Sequence, residues 1–174
     1  LTVFVNPMTQ EFGWSRTQIS GATSIGAILG AAVAPFTGQL VDRIGSRILL
    51  AVGCMVVGLA CLYLSAVHTL LGFYLAFSLS RMADQGAIKI AAAPAVGKWF
   101  LRYRGRAIAL VFCAASVGII VLAPVVQQVI DAWGWRAAWL VLAAGMFGLG
   151  VIPSALLVRR QPEDLGLAVD GLPR

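Results

Sequence analysis

The twenty residues RILLAVGCMVVGLACLYLSA, from Arg47 to Ala66, carry a single charge, and it is the first of them. About 20 mainly apolar residues in a helix match the hydrocarbon thickness of a bilayer. Inside lipid only helices and closed barrels satisfy every backbone N–H and C=O group. Four more segments of this kind run roughly over 15–39, 69–98, 106–129 and 135–158. The chain is 60% hydrophobic and 11% charged, with a mean hydropathy of +0.89, whereas a soluble domain is about 25% charged. The expected class is an all-α, multi-pass membrane protein.

Local signals refine the segments. Ser15 followed three residues later by Gln18 has the spacing of a capping box at a helix start. Gly26 and Gly30 form a GxxxG step, which lets a neighbouring helix approach closely. Cys54, Cys61 and Cys113 lie inside apolar runs without metal-ligand spacing, so packing is their expected role. No charged segment precedes an apolar one as in a signal peptide. LTVFVNPM reads as the tail of an apolar segment, so a fragment is expected, and the tail RRQPEDLGLAVDGLPR should lie in water.

Short connections imply antiparallel neighbours, and the basic residues then divide unequally between the two sides. One side holds Arg43, Arg47, Lys98, Arg102, Arg104, Arg106, Arg159, Arg160 and Arg174; the other holds Arg16 and Arg136. By the positive-inside bias, the loops 41–47 and 99–105 and the tail are expected to be cytoplasmic. The loops near 7–14, 67–69 and 130–134 then face outward. The net charge of +6 reflects this bias, and no nucleic-acid partner is expected. Trp14, Trp133 and Trp135 suit the outer interface, and Trp99 and Tyr103 the inner one.

A frame recurs within the chain. APFTGQLVDRIGSR at 34–47 and APVVQQVIDAWGWR at 123–136 share Ala-Pro, six residues, then Asp-x-x-Gly-x-Arg, at an offset of 89 residues without a gap. Asp42, Gly45 and Arg47 correspond to Asp131, Gly134 and Arg136. Three helix crossings separate the copies, so they should face opposite sides, as in the inverted repeats of secondary transporters. Chance matching in a chain rich in Ala, Gly and Arg is the alternative. In either copy Gly ends a helix, Arg reaches carbonyls or lipid phosphates at a helix end, and Asp can cap the next helix.

GQLVDRIGSR resembles the loop between helices two and three of the major facilitator superfamily, with Gly38, Leu40, Asp42, Arg43, Gly45 and Arg47 fitting its pattern. Val41 and Ser46 depart from it, standing where a small and a basic residue are usual. EFGWSRTQIS, KWFLRYRGRAIALVFCAASVG, GWRAAW and RRQPEDLGL resemble the monocarboxylate and oxalate–formate type of facilitator. The resemblance covers essentially the whole chain. It implies an N-terminal six-helix bundle with helix one truncated. The five segments are then helices two to six, residues 1–158 form the bundle, and 159–174 begin the central cytoplasmic loop. It also implies that Asp42 docks on the absent C-terminal half to hold an inner gate shut, with Arg43 and Arg47 supporting the loop. Helix capping without a gate is the alternative. Two antiporter signatures are incomplete. Arg81 precedes Gln85-Gly86 by one residue too many, and Ala123-Pro124 lacks the glycine pair that should follow.

The segment FYLAFSLSRMADQGAIKIAAAPAVGKWF places Arg81, Asp84 and Lys89 inside a span. Each such charge costs about 2.5–3.5 kcal/mol on insertion scales and faces a protein interior or a watery cavity. Arg81 and Asp84, three apart, can pair. Lys89, five beyond Asp84, stands about 140° around an α-helix and should be harder for Asp84 to neutralise. A net positive helix suits a small organic anion, with a proton or counter-anion as the coupled species; a structural ion pair is the alternative. Pro35, Pro94, Pro124 and Pro153 lie toward span ends, where they bend helices.

No Gly-x-x-x-x-Gly-Lys-Ser/Thr is present, and the single histidine, His68, falls in an outer loop without a His-Glu-x-x-His or Gly-x-Ser-x-Gly motif. An enzyme is therefore not expected, and neither a metal nor a cofactor. A secondary transporter working by alternating access is the leading expectation. Facilitator-type efflux of another solute, or a sensor or scaffold on the same fold, is the alternative.

Overall fold

The computed structural model describes residues 2–97, 99–100 and 102–158. Lys98, Arg159, Arg160, Arg174 and the expected central loop at 159–174 lie outside the described residues. α1 (Thr2–Phe12) is followed by α2 (Arg16–Ile44), α3 (Ser46–Ser65) and α4 (Leu70–Ala83). A π-helical turn, Asp84–Ile88, carries α4 directly into α5 (Lys89–Gly97). α6 (Arg104–Gly145) leads through a second π turn, Met146–Val151, into α7 (Ile152–Leu156). Three of these stretches are long and apolar enough to cross a membrane: Arg16–Ile44, Ser46–Ser65 and Arg104–Leu156.

α2 starts where the capping box places it. Ser15 Oγ accepts the Gln18 N–H at 3.2 Å, and Gln18 Oε1 accepts the Ser15 N–H at 2.8 Å. Its end differs from expectation. Pro35 is accommodated inside the helix, and α2 runs on to Ile44, so most of the presumed 41–47 loop is helical. Gly45 alone makes the break, at φ 86° and ψ 157°, and α3 begins at the next residue. This region of backbone space is essentially reserved for glycine.

The second copy of the frame breaks in the same way. α6 is interrupted at Gly134, at φ 83° and ψ 166°, so the expected outward loop at 130–134 is also a one-residue kink between two helical arms. Gly45 and Gly134, 89 residues apart, share one unusual backbone state; Gly13, at φ 70°, is the other described glycine with positive φ. The repeat is therefore present in backbone geometry as well as in sequence.

α4 packs against both α2 and α3, and α3 packs against α6 and the second π turn. The main core is aromatic. Phe4 stacks on Trp139 at 4.1 Å, Phe12 on Trp14 at 4.4 Å and Phe73 on Phe77 at 5.4 Å between ring centroids. Trp135 belongs to this core and is buried, and Trp14 packs against it, whereas Trp133 is exposed. The expected interfacial tryptophan set is thus divided, because the helix that resumes after Gly134 turns Trp135 inward. Cys54 and Cys61 are buried, but Cys113 is exposed on α6. Ile28, Phe36, Leu71, Leu110, Ile119 and Leu149 stand exposed, an outward apolar surface that water would penalise and lipid would not.

Candidate functional site

Glycines bring α2, α3 and α4 close enough to clamp the charged segment. A Cβ on Gly26 would lie 2.5 Å from Arg81 Cβ and 3.1 Å from Ser78 Cα; one on Gly30 would lie 3.0 Å from Gln85 Cβ. The GxxxG step is therefore the notch in which α4 rests. Hydrogen bonds along the same face hold it there: Tyr74 Oη donates to the Gln18 carbonyl at 2.5 Å, and Ser78 Oγ to the Ala22 carbonyl at 3.2 Å. On α3, a Cβ on Gly53 would lie 2.8 Å from Ile88 Cγ1. The π turn is thus seated between notches on two helices.

That turn brings the three charges together. Asp84 Oδ2 lies 3.7 Å from Arg81 Nη1 and 3.2 Å from Lys89 Nζ. The expectation that Lys89 stands apart from Asp84 is therefore corrected. In an α-helix five residues overshoot one turn, but here the Lys89 N–H bonds the Asp84 carbonyl, the i→i+5 register of a π turn. The widened turn returns the fifth residue to the face of the first. One carboxylate bridges two cations, so the cluster keeps a net charge of +1. Its side chains remain partly accessible, at 31% for Arg81, 34% for Asp84 and 57% for Lys89. Arg81 Nε is buried without a hydrogen-bond partner among the described residues. Such a cluster can hold an anion by charge-assisted hydrogen bonds.

The two copies of the repeated frame use their arginines alike. Arg47 Nη2 donates to the Ala155 carbonyl in the last turn of α7. Arg136 Nη1 donates to Glu11 Oε1 at 2.6 Å in the last turn of α1, and Trp135 Nε1 donates to Glu11 Oε2 at 2.5 Å. The Arg136 guanidinium also lies 4.3 Å from the Trp135 ring centre. These bonds, Arg136 first, hold the Glu11 carboxyl below its ordinary pKa of 4.5.

The two aspartates differ. Asp42 and Arg43 are exposed, and neither side chain makes a hydrogen bond or ion pair with a described residue. Asp42 does not cap α3, whose first turn has no side-chain cap, so the capping role is corrected. Asp131 instead accepts a bond from Gln127 Nε2 at 2.8 Å. Gly38 is open on its side-chain side. In the basic stretch Arg102 lies 5.6 Å from the Tyr103 ring centre, Arg104 packs beside Gly97, and Arg106 is exposed. Glu11 and Gly53 make close contacts that the linear pattern did not single out. Their partners lie more than 30 residues away, and a sequence offers no signal for such pairs.

Apolar helices facing outward, a clamped ionic cluster within them and a repeated glycine break define a multi-pass membrane protein. The chain belongs to the Major Facilitator Superfamily, whose sequence profile matches residues 1–170. It is similar to Riboflavin transporter RibJ of Trypanosoma cruzi, 29% identical over 150 residues, or 85% of this chain and 31% of that protein. It is also similar to the Oxalate:formate antiporter of Oxalobacter formigenes, at 25% identity over 91% of this chain and 37% of that protein. Monocarboxylate transporter 2 of Rattus norvegicus is 30% identical over 83% of this chain and 29% of its own length. The chain spans about a third of the length of the curated relatives it matches. The family and these relatives are small-molecule transporters.

Proposed function

We propose that this chain forms the N-terminal bundle of a secondary transporter that carries a small organic anion, monocarboxylate-like, by alternating access with a proton or counter-anion as the coupled species. The observation that carries this reading is the bridged cluster Arg81–Asp84–Lys89, cationic overall and partly accessible within an apolar helix. A carboxylate ligand would meet Lys89 and Arg81 in competition with Asp84. The names of the oxalate:formate and monocarboxylate relatives support the same substrate class. In this reading the Asp42 end is cytoplasmic, and Asp42, whose side chain is unpaired among the described residues, docks on the C-terminal half of the complete transporter to close the inner gate.

The deciding experiment is uptake of radiolabelled oxalate, formate and lactate by the complete transporter in proteoliposomes at two pH values, with and without internal carboxylate. Uptake of none of them removes the anion reading. A second reading, transport of a neutral polar solute, follows from the two relatives named riboflavin transporters; riboflavin uptake in the same vesicles with no carboxylate uptake would favour it.

A further inference from the structure

Asp84 sets the charge of whatever the ionic cluster holds. Its Oδ2 lies 3.2 Å from Lys89 Nζ and 3.7 Å from Arg81 Nη1, and among the described residues no other carboxylate pairs with either cation. The fold fixes it there. The Asp84 N–H donates to the Ser80 and Arg81 carbonyls, and the Asp84 carbonyl accepts from the Lys89 N–H. Two residues on, a Cβ at Gly86 would lie 3.2 Å from the Gly30 carbonyl oxygen, so α2 backs the same turn. The Asp84 backbone cannot leave the cluster without lifting that turn off α2.

The two cations keep donors to spare. A lysine ammonium has three N–H donors and an arginine guanidinium five, and Arg81 Nε is buried without a partner among the described residues. The Lys89 side chain is more than half exposed. An anion therefore has room to bind beside Asp84, sharing Arg81 and Lys89 with it, and charge decides which anion. Two cations and one carboxylate give the cluster a charge of +1. A monocarboxylate brings it to zero. A dicarboxylate brings it to −1, and an unbalanced charge among apolar helices is costly. Without the Asp84 carboxylate the cluster would carry +2, and the dicarboxylate would be the balanced ligand.

We infer that Asp84 is the specificity-determining residue of this site: a resident carboxylate that leaves room for one further negative charge, so that the site takes a monocarboxylate and rejects a dicarboxylate of the same size. This role rests on the anion-transport reading above, to which it adds the valence of the substrate.

Oxamate and oxalate serve as the probes, since they are nearly isosteric and carry one and two negative charges at neutral pH. Initial uptake of each, radiolabelled, is measured with the complete transporter in proteoliposomes. Wild type takes up oxamate faster than oxalate by about tenfold or more, the scale of one unbalanced charge. Asp84→Asn keeps the side-chain shape, removes the charge and reverses the preference. Adding Lys89→Gln to Asp84→Asn returns the cluster to +1 on Arg81 alone and restores the oxamate preference, at a reduced rate. A merely structural Asp84 would lower both uptakes without moving their ratio. The wild-type ratio needs no variant, so it decides even where Asp84→Asn fails to insert. Equal uptake of the two or a preference for oxalate by wild type, or an unchanged ratio in Asp84→Asn, overturns the role of Asp84 while carboxylate transport stands. Formate or lactate uptake with neither probe taken up does the same. Uptake of no carboxylate at all overturns the transport reading and this role with it.

Discussion

Lys89 Nζ lies 3.2 Å from Asp84 Oδ2, five residues along one continuous helical stretch, because the turn between them is a π turn seated against Gly30 and Gly53. Removing Lys89 leaves Asp84 paired with Arg81 at 3.7 Å, so no uncompensated carboxylate is stranded in the helix. Lys89→Ala should therefore lower carboxylate uptake at least tenfold while shifting the unfolding midpoint by only a degree or two. Lys98→Ala should keep uptake within twofold. Equal losses in the two variants would make Lys89 a structural residue.

Asp42→Asn tests the proposed gate. The exposed side chain makes no hydrogen bond or ion pair with a described residue, so insertion and expression should match wild type while uptake by the complete transporter falls several-fold. Unchanged uptake would leave Asp42 without a gating role.

Gly45 and Gly134 hold a backbone state that other residues adopt at a cost of about 1–3 kcal/mol. Nothing lies within 4 Å of a Cβ added at Gly134, so Gly134→Ala should destabilise through backbone strain alone. Gly45→Ala should do at least as much. Thermal unfolding in detergent reads both losses, and a Gly134→Ala protein as stable as wild type would contradict the kink.

Glu11 links stability to pH. Its carboxyl is held below 4.5, first by the Arg136 hydrogen bond and then by Trp135. A carboxylate lowered in the folded state stabilises it above the unfolded pKa, and that contribution disappears as pH falls through the folded value. The unfolding midpoint should therefore drop on acidification below about pH 4.5, and Glu11→Gln should flatten that part of the profile. A mutant profile parallel to wild type down to about pH 3 would remove Glu11 from the account.

Much of this molecule was readable residue by residue. The apolar segments, the Ser15–Gln18 cap, the Gly26–Gly30 notch and the 89-residue repeat all rest on spacing along a helix, which the linear chain carries directly. The connections were less legible. Val41 to Ile44 read as loop because Asp, Arg and Gly cluster there, but polar residues continue a helix at its end, and one glycine suffices to break it.

What the sequence determined by itself was the class and its placement of charge: helices for lipid, three ionic residues on one of them, and two copies of one frame. The tertiary structure decided what those charges do to one another. Asp84 reaches Lys89 because the notches at Gly30 and Gly53 accommodate a widened turn, and Arg136 meets Glu11 across 125 residues because the helix restarts at Trp135 facing the core. Local pattern sets which helices form; contacts between distant helices set the register and partners of their polar groups, since a charge in an apolar medium must be satisfied by whatever the packing brings near.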